Sequence, residues 1–157
     1  MKKTQAELKY LRAAAQSATS VGLVIMLYDL LIADLERAIA AIAERDIEKR
    51  SAEINHAFLV LQQLEGSLDM KKGGQTATHL SRFYSVLRCN ILEAQIKVSP
   101  DILRKQIALI LNVREAWQQV DSQGNTASTT TPGPGTELQQ AQAAAASGSG
   151  DSSNWTA

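Results

Sequence analysis

Residues 21–33 read VGLVIMLYDLLIA, and this stretch decides the fold. When it is wound into an α-helix, apolar side chains cover nearly its whole circumference, whereas a surface helix needs only one apolar stripe about 100° wide. The stretch is too short to cross a bilayer, which takes roughly 20 apolar residues, and Asp29 interrupts it. We therefore expect one face to pack in the protein's own core and another to be covered by an N-terminal arm or by a second protein.

The composition argues against several classes of protein. The 157 residues include 16 basic and 16 acidic side chains, so the formal net charge is zero. We expect neither nucleic acid nor an anionic membrane surface as a partner, because both require a basic stripe. A single cysteine, Cys89, cannot form an intramolecular disulfide or a thiolate zinc site. The start does not follow the order of a signal peptide, because small and polar residues precede the apolar run. The sequence thus predicts a cytoplasmic protein without membrane insertion.

The apolar periodicity predicts four helices, whose apolar residues recur at alternating spacings of three and four. Their predicted ranges are 21–44, 47–68, 76–96 and, after the start signal Ser99-Pro100-Asp101, as far as Val120. Short links between helices of similar length are typical of an all-α, antiparallel up-down four-helix bundle. We assign the bundle to residues 19–120 and a short N-terminal arm or helix to residues 1–18. Residues 121–157 are rich in Gly, Ser, Thr, Ala, Gln and Pro, which predicts a disordered tail.

Five residues are assigned structural roles. Tyr28 and Trp117 stand in the apolar rows of the first and fourth helices. Gly73 and Gly74 are expected to close a loop over 67–74, since glycine does not continue a helix comfortably. Asp29 lies within the apolar stretch, and a buried charge is normally paired. We expect its carboxylate to hydrogen-bond a loop or the arm.

The sequence contains little evidence for a metal site or a catalytic site. Glu53 and His56 match the Glu-x-x-His pattern of di-iron bundles, but such a site needs two of these motifs and two further glutamates. If Ile54 points inward, Glu53 and His56 turn roughly 100° or more away and lie on the solvated surface. Asp34 is likewise expected to face water. No nucleophile stands near a histidine in a known motif, and no glycine loop could cradle a phosphate. We predict no enzyme, no metal and no cofactor.

The surplus apolar residues of the first helix indicate a surface that binds a partner. Burying one such side chain is worth about 1.5–3 kcal/mol. Three together are comparable to the association cost of about 4–15 kcal/mol, so a partner must engage several patches at once. An amphipathic helix laid into a groove suits such surfaces. The predicted partner-binding residues on the bundle are Leu23, Met26, Leu27, Leu30, Leu59 and Val60.

The arm is a predicted regulator of this surface. Tyr10, a further predicted binding residue, and Leu11 would fold back over the first half of the first helix while no partner is bound. A homodimer that buries the same patch, acting as an adaptor with no such client, is the alternative, since symmetric self-association is common.

Five motifs, in order and in register, resemble the flagellar secretion chaperone FliS family. They are Met26-Leu27-Tyr28-Asp29, Arg45-Asp46-Ile47, the stretch Ser67-Leu68-Asp69-Met70-Lys71-Lys72-Gly73-Gly74, Leu80-x-x-Phe83-Tyr84, and Leu111-x-x-Arg114-Glu115-Ala116-Trp117. The resemblance implies a cytoplasmic, non-enzymatic helical bundle. It also implies binding of the disordered C-terminal segment of flagellin, which would prevent premature polymerisation and present the subunit to the flagellar type III export apparatus.

Overall fold

A computed structural model describes Lys9 and residues 20–129, with side chains as far as Gly124. Four helices follow one another: α1 (Ser20–Glu44), α2 (Ile47–Gly66), α3 (Met70–Lys97) and α4 (Pro100–Thr129). The prediction of an all-α four-helix bundle is confirmed. Most of the predicted arm, including Tyr10, and the predicted tail beyond Thr129 lie outside the described residues.

Side-chain pairs between the helices show that consecutive helices run in opposite directions. The Asp34 carboxylate of α1 contacts His56 of α2, and Arg37 of α1 donates to Glu53 of α2 over 2.8 Å. A step forward along α1 is therefore matched by a step backward along α2. Two pairs between α2 and α3, Glu65 with Arg88 and Arg50 with Gln95, show the same reversal.

The core is a single cluster in the centre of the bundle. The apolar rows predicted for the first and third helices supply most of it, and the buried members are Tyr28, Leu31, Leu35 and Ala38 of α1 and Tyr84, Leu87, Ile91 and Ala94 of α3. For α2, the spacing of seven between Ile47, Ile54, Leu61 and Leu68 predicts the buried row, but the buried residues are Ile54, Ala57, Val60, Leu61 and Leu64. Ile47 is 66% exposed because it lies in the first turn of α2, at the end of the bundle.

The start of α3 differs most from the sequence-based expectation. The Asp69 carboxylate accepts the backbone N–H groups of Lys71 and Lys72, each over 3.0 Å, and this N-cap starts the helix at Met70 instead of near Thr76. Gly74 then breaks the helical geometry with φ 51° and ψ −128°. Gly74 therefore forms a kink inside α3, and the loop predicted over 67–74 is confined to residues 67–69. An N-cap aspartate outweighed the breaking tendency of the glycines.

The fourth helix begins as predicted and ends later. The Ser99 hydroxyl accepts the N–H of Ile102 over 3.3 Å, which confirms the predicted N-cap. The helix runs past Val120 to Thr129. The chain divides into two compact units, residues 1–121 and 122–157, and residues 122–129 are the part of the second unit that the structure describes. None of the described helices combines the length and apolarity needed to cross a membrane.

Candidate partner-binding site

The first half of α1 keeps part of its apolar surface outside the core. Leu23 is 39% exposed, and Met26 is half-buried. Leu27 and Leu30 are also half-buried, and each packs partly against the core cluster. Bundle packing therefore uses only part of the apolar surface that the sequence places in residues 21–33.

Of the two residues predicted on α2, one is exposed at the surface and the other is buried. Leu59 is 60% exposed, whereas Val60 is only 5% exposed and belongs to the core. Val60 follows Ala57 by three residues on the inner row of α2, and its side chain packs in the core instead of lying exposed as expected for a partner-binding residue. The antiparallel register of α1 and α2 places Leu30 level with residues 59 and 60. We call Leu23, Met26, Leu30 and Leu59 the α1–α2 patch.

An open pocket of about 170 Å³ lies at the end of the bundle where α1 begins. Its apolar lining comes from α1, α3, α4 and the α2–α3 connection, namely Val24, Leu68, Ala77, Leu80, Tyr84 and Trp117. Ser67, Asp69, Gly73 and Thr76 complete the lining. We call this the end pocket. Val24 directly follows Leu23 in sequence, so the end pocket and the α1–α2 patch both include residues of the first turns of α1.

Three aromatic side chains join the helices around the end pocket. The hydroxyl oxygens of Tyr28 and Tyr84 are 2.7 Å apart, and both side chains are buried. Trp117 also hydrogen-bonds the Tyr28 hydroxyl. Burial raises the pKa of both phenols above 10.0, so both stay neutral donors and acceptors at physiological pH. The pocket wall is thus held by a neutral hydrogen-bonded network that ties α1, α3 and α4 together.

Asp29 is paired with a helix residue instead of a loop residue. Arg114 of α4 donates to its two carboxylate oxygens, over 2.5 Å and 3.2 Å. This hydrogen bond to the carboxylate raises the pKa of Arg114, so the guanidinium stays charged. Asp29 is more than half exposed, because it lies on the outer flank of α1 towards α4. The partner that the structure shows is a helix residue 85 positions away in sequence and not the expected loop residue, while most of the arm lies outside the described residues.

Asp34 is fully buried, contrary to the expectation that it faces water. Its carboxylate contacts Arg37 and lies 2.6 Å from Nδ1 of His56. Burial dominates and raises the pKa of Asp34, although both partners favour its charged form. Glu53, which pairs with Arg37, and His56, which contacts Asp34, thus connect α2 to α1. Within the described part of the chain, no three His, Cys, Asp or Glu side chains are grouped so that they could hold a metal ion.

Residues 2–124 match the family described as flagellar protein FliS. The chain belongs to the FliS family. A relative from Salmonella typhimurium, named flagellar secretion chaperone FliS, is 27% identical over 114 residues, which cover 72% of this chain and 84% of that protein. A Campylobacter jejuni protein of the same name is 29% identical over 105 residues, covering 67% of this chain and 82% of its own.

Four of the five segments that resemble FliS proteins contribute to the end pocket or to the side-chain pairs beside it, whereas Arg45-Asp46-Ile47 lies at the opposite end of the bundle. Tyr28 and Asp29 come from the first motif, Tyr84 from the fourth, and Arg114 and Trp117 from the fifth, and these residues pair with one another. The sequence singled out Tyr28, Asp29 and Trp117, but it gave no reason to select Tyr84 or Arg114 as their partners. The sequence signal that distinguished Tyr84 and Arg114 was their position in the FliS-like motifs. In this FliS-family chain the motifs build a structural joint beside an open apolar surface.

Proposed function

We propose that this protein is a cytoplasmic, non-enzymatic export chaperone that binds the disordered C-terminal segment of flagellin. Binding would keep that segment from polymerising prematurely and would aid its delivery to the flagellar type III export apparatus. Support comes from membership of the FliS family and from the names of the relatives, which are flagellar secretion chaperones.

The observation that carries the proposal is the accessible apolar surface of the α1–α2 patch and the end pocket, both of which include residues of the first turns of α1. Leu23, Met26 and Leu59 remain accessible at the surface, and Val24 and Trp117 line the pocket beside them. A surface of this kind, shallow and next to a groove between helices, suits an amphipathic helix that presents apolar residues at positions i, i+3 and i+7. A disordered client could fold into that helix on binding.

A client that wraps around the bundle would find further apolar surface on α3. Val86, Leu92 and Ile96 are between 49% and 74% exposed. One patch alone would contribute too little to outweigh an association cost of about 4–15 kcal/mol. We therefore propose that the client contacts several faces and that the α1–α2 patch with the end pocket is the primary one.

The test is calorimetric titration of the full chain with the C-terminal segment of the flagellin from the same organism. Met26→Asp and Leu23→Asp should each weaken binding by about tenfold or more, because a carboxylate replaces apolar surface that the client would bury. Ile47→Asp is the matched control, since Ile47 is exposed at the opposite end of α2. It should bind like the unchanged protein.

Two results would overturn the proposal. The first is binding that ignores both α1 substitutions, which would place the client elsewhere. The second is a client-free dimer in sedimentation that Met26→Asp converts to monomer, together with no binding of the flagellin segment. That outcome would support the homodimeric adaptor instead.

A further inference from the structure

Two exposed lysines lie next in sequence to residues that line the end pocket. Lys71 and Lys72 occupy the first turn of α3, and both are exposed. They lie between Asp69 and Gly73, which themselves line the pocket. Neither lysine is part of any ion pair among the described residues.

Fold stability does not account for these two charges. The N-terminus of a helix carries partial positive charge, so cations in the first turn are unfavourable and acidic residues are preferred. The first turn of α3 contains no acidic residue. Its backbone N–H groups at Lys71 and Lys72 are already bonded to Asp69. Any attraction for a ligand would therefore come from the two ammonium groups and not from the helix end.

The residues that line the pocket are mostly apolar, and no Lys, Arg or His side chain is among them. Val24, Leu80 and Trp117 give the pocket apolar lining, and the α1 residues 20–28 contain no charged side chain. Asp69 is the only carboxylate in the lining, and it is engaged as the N-cap of α3. The site is thus divided into an apolar cavity and a positively charged border.

We propose that the end pocket and this lysine border together recognise an apolar–acidic pair in the client helix. An apolar side chain of the client would enter the end pocket, and an acidic side chain three or four positions away would meet Lys71 and Lys72. Residues at that spacing lie on one face of a helix, so a single client helix can present both. This inference rests on the proposed function and specifies which feature of the client the site selects.

The test is charge reversal in the full chain, Lys71→Glu together with Lys72→Glu, titrated with the flagellin C-terminal segment at low and high salt. Affinity should fall by about tenfold at low salt, and the loss should shrink as salt screens the charges. The melting temperature should stay the same or rise, because acidic residues suit a helix N-terminus. Lys105→Glu, an exposed lysine on α4 outside the pocket lining, should leave binding unchanged.

The outcomes separate this inference from the proposed function. If the double reversal binds like the unchanged protein while Met26→Asp binds poorly, the lysine border plays no part and the chaperone function stands. If neither variant affects binding, both proposals fail. A client segment whose acidic residues are replaced by their amides should bind the unchanged protein more weakly and should no longer distinguish it from the double reversal. If the amide segment still distinguishes them, the lysines do not act through client carboxylates.

Discussion

At the scale of single residues, the hydroxyl pair of Tyr28 and Tyr84 determines how the end pocket is held together. Each hydroxyl is buried, so each needs a partner. Tyr28 has two, Tyr84 and Trp117, whereas Tyr28 is the hydrogen-bond partner the structure shows for Tyr84. If the Tyr84 hydroxyl is removed, the Tyr28 hydroxyl keeps Trp117 as a partner. If the Tyr28 hydroxyl is removed, both the Tyr84 hydroxyl and the Trp117 side chain lose this partner.

Tyr84→Phe should destabilise the fold by about 1 kcal/mol near neutral pH, and Tyr28→Phe should cost more. The two phenols also predict a pH dependence. Their folded pKa values are raised above 10.0, so their contribution to stability is complete below pH 10 and is lost as the pH rises towards those raised values. Urea unfolding between about pH 8 and about pH 11 should show a steeper loss of stability for the unchanged protein than for Tyr84→Phe. Equal slopes would contradict the coupling.

Some residue roles were not predictable from the sequence, and Asp34 shows why. Its neighbours Glu36 and Arg37 made the second half of α1 look one-sided and solvated. Burial of its carboxylate depends on His56, which α2 brings to it from 22 positions away. A side-chain contact between two helices does not change the apolar periodicity of either helix, so this periodicity could not predict it. The same holds for Asp29 and Arg114.

At the scale of helices, the rows of α1 and α3 could be predicted because long runs of apolar spacing specify a buried face. The start of α3 could not, because two opposing local signals met there. Asp69 starts a helix, and Gly74 breaks it four residues into α3. The structure accommodates both by a kink, and the residues around that kink line the end pocket.

Gly74→Ala tests the kink. At φ 51° and ψ −128° a side chain is strained, so the substitution should destabilise the fold by about 1–3 kcal/mol in urea unfolding. Gly66→Ala is the control, because a methyl group there meets nothing within 4 Å and the backbone is not strained. It should change stability by no more than about 1 kcal/mol, in the stabilising direction. Equal effects of the two substitutions would mean that the kink relaxes without cost.

At the scale of the whole molecule, the bundle has more apolar surface than its interior uses. The sequence predicted this surplus from residues 21–33 alone, and the structure places it at the start of α1, beside Leu59 and the end pocket. The pocket itself was not predicted, because its lining comes from four separate parts of the chain. Residues of such separate origin meet only after the bundle has formed.

The central claim is that this surplus surface is the place where a client binds. Hydrogen–deuterium exchange of the full chain, with and without the flagellin C-terminal segment, tests it most directly. We predict that the client slows exchange in residues 20–30, 59–63 and 67–80, while the opposite end of the bundle, around residues 44–50, changes little. Protection that is confined to the opposite end, or that is absent while binding is saturated, would contradict the account.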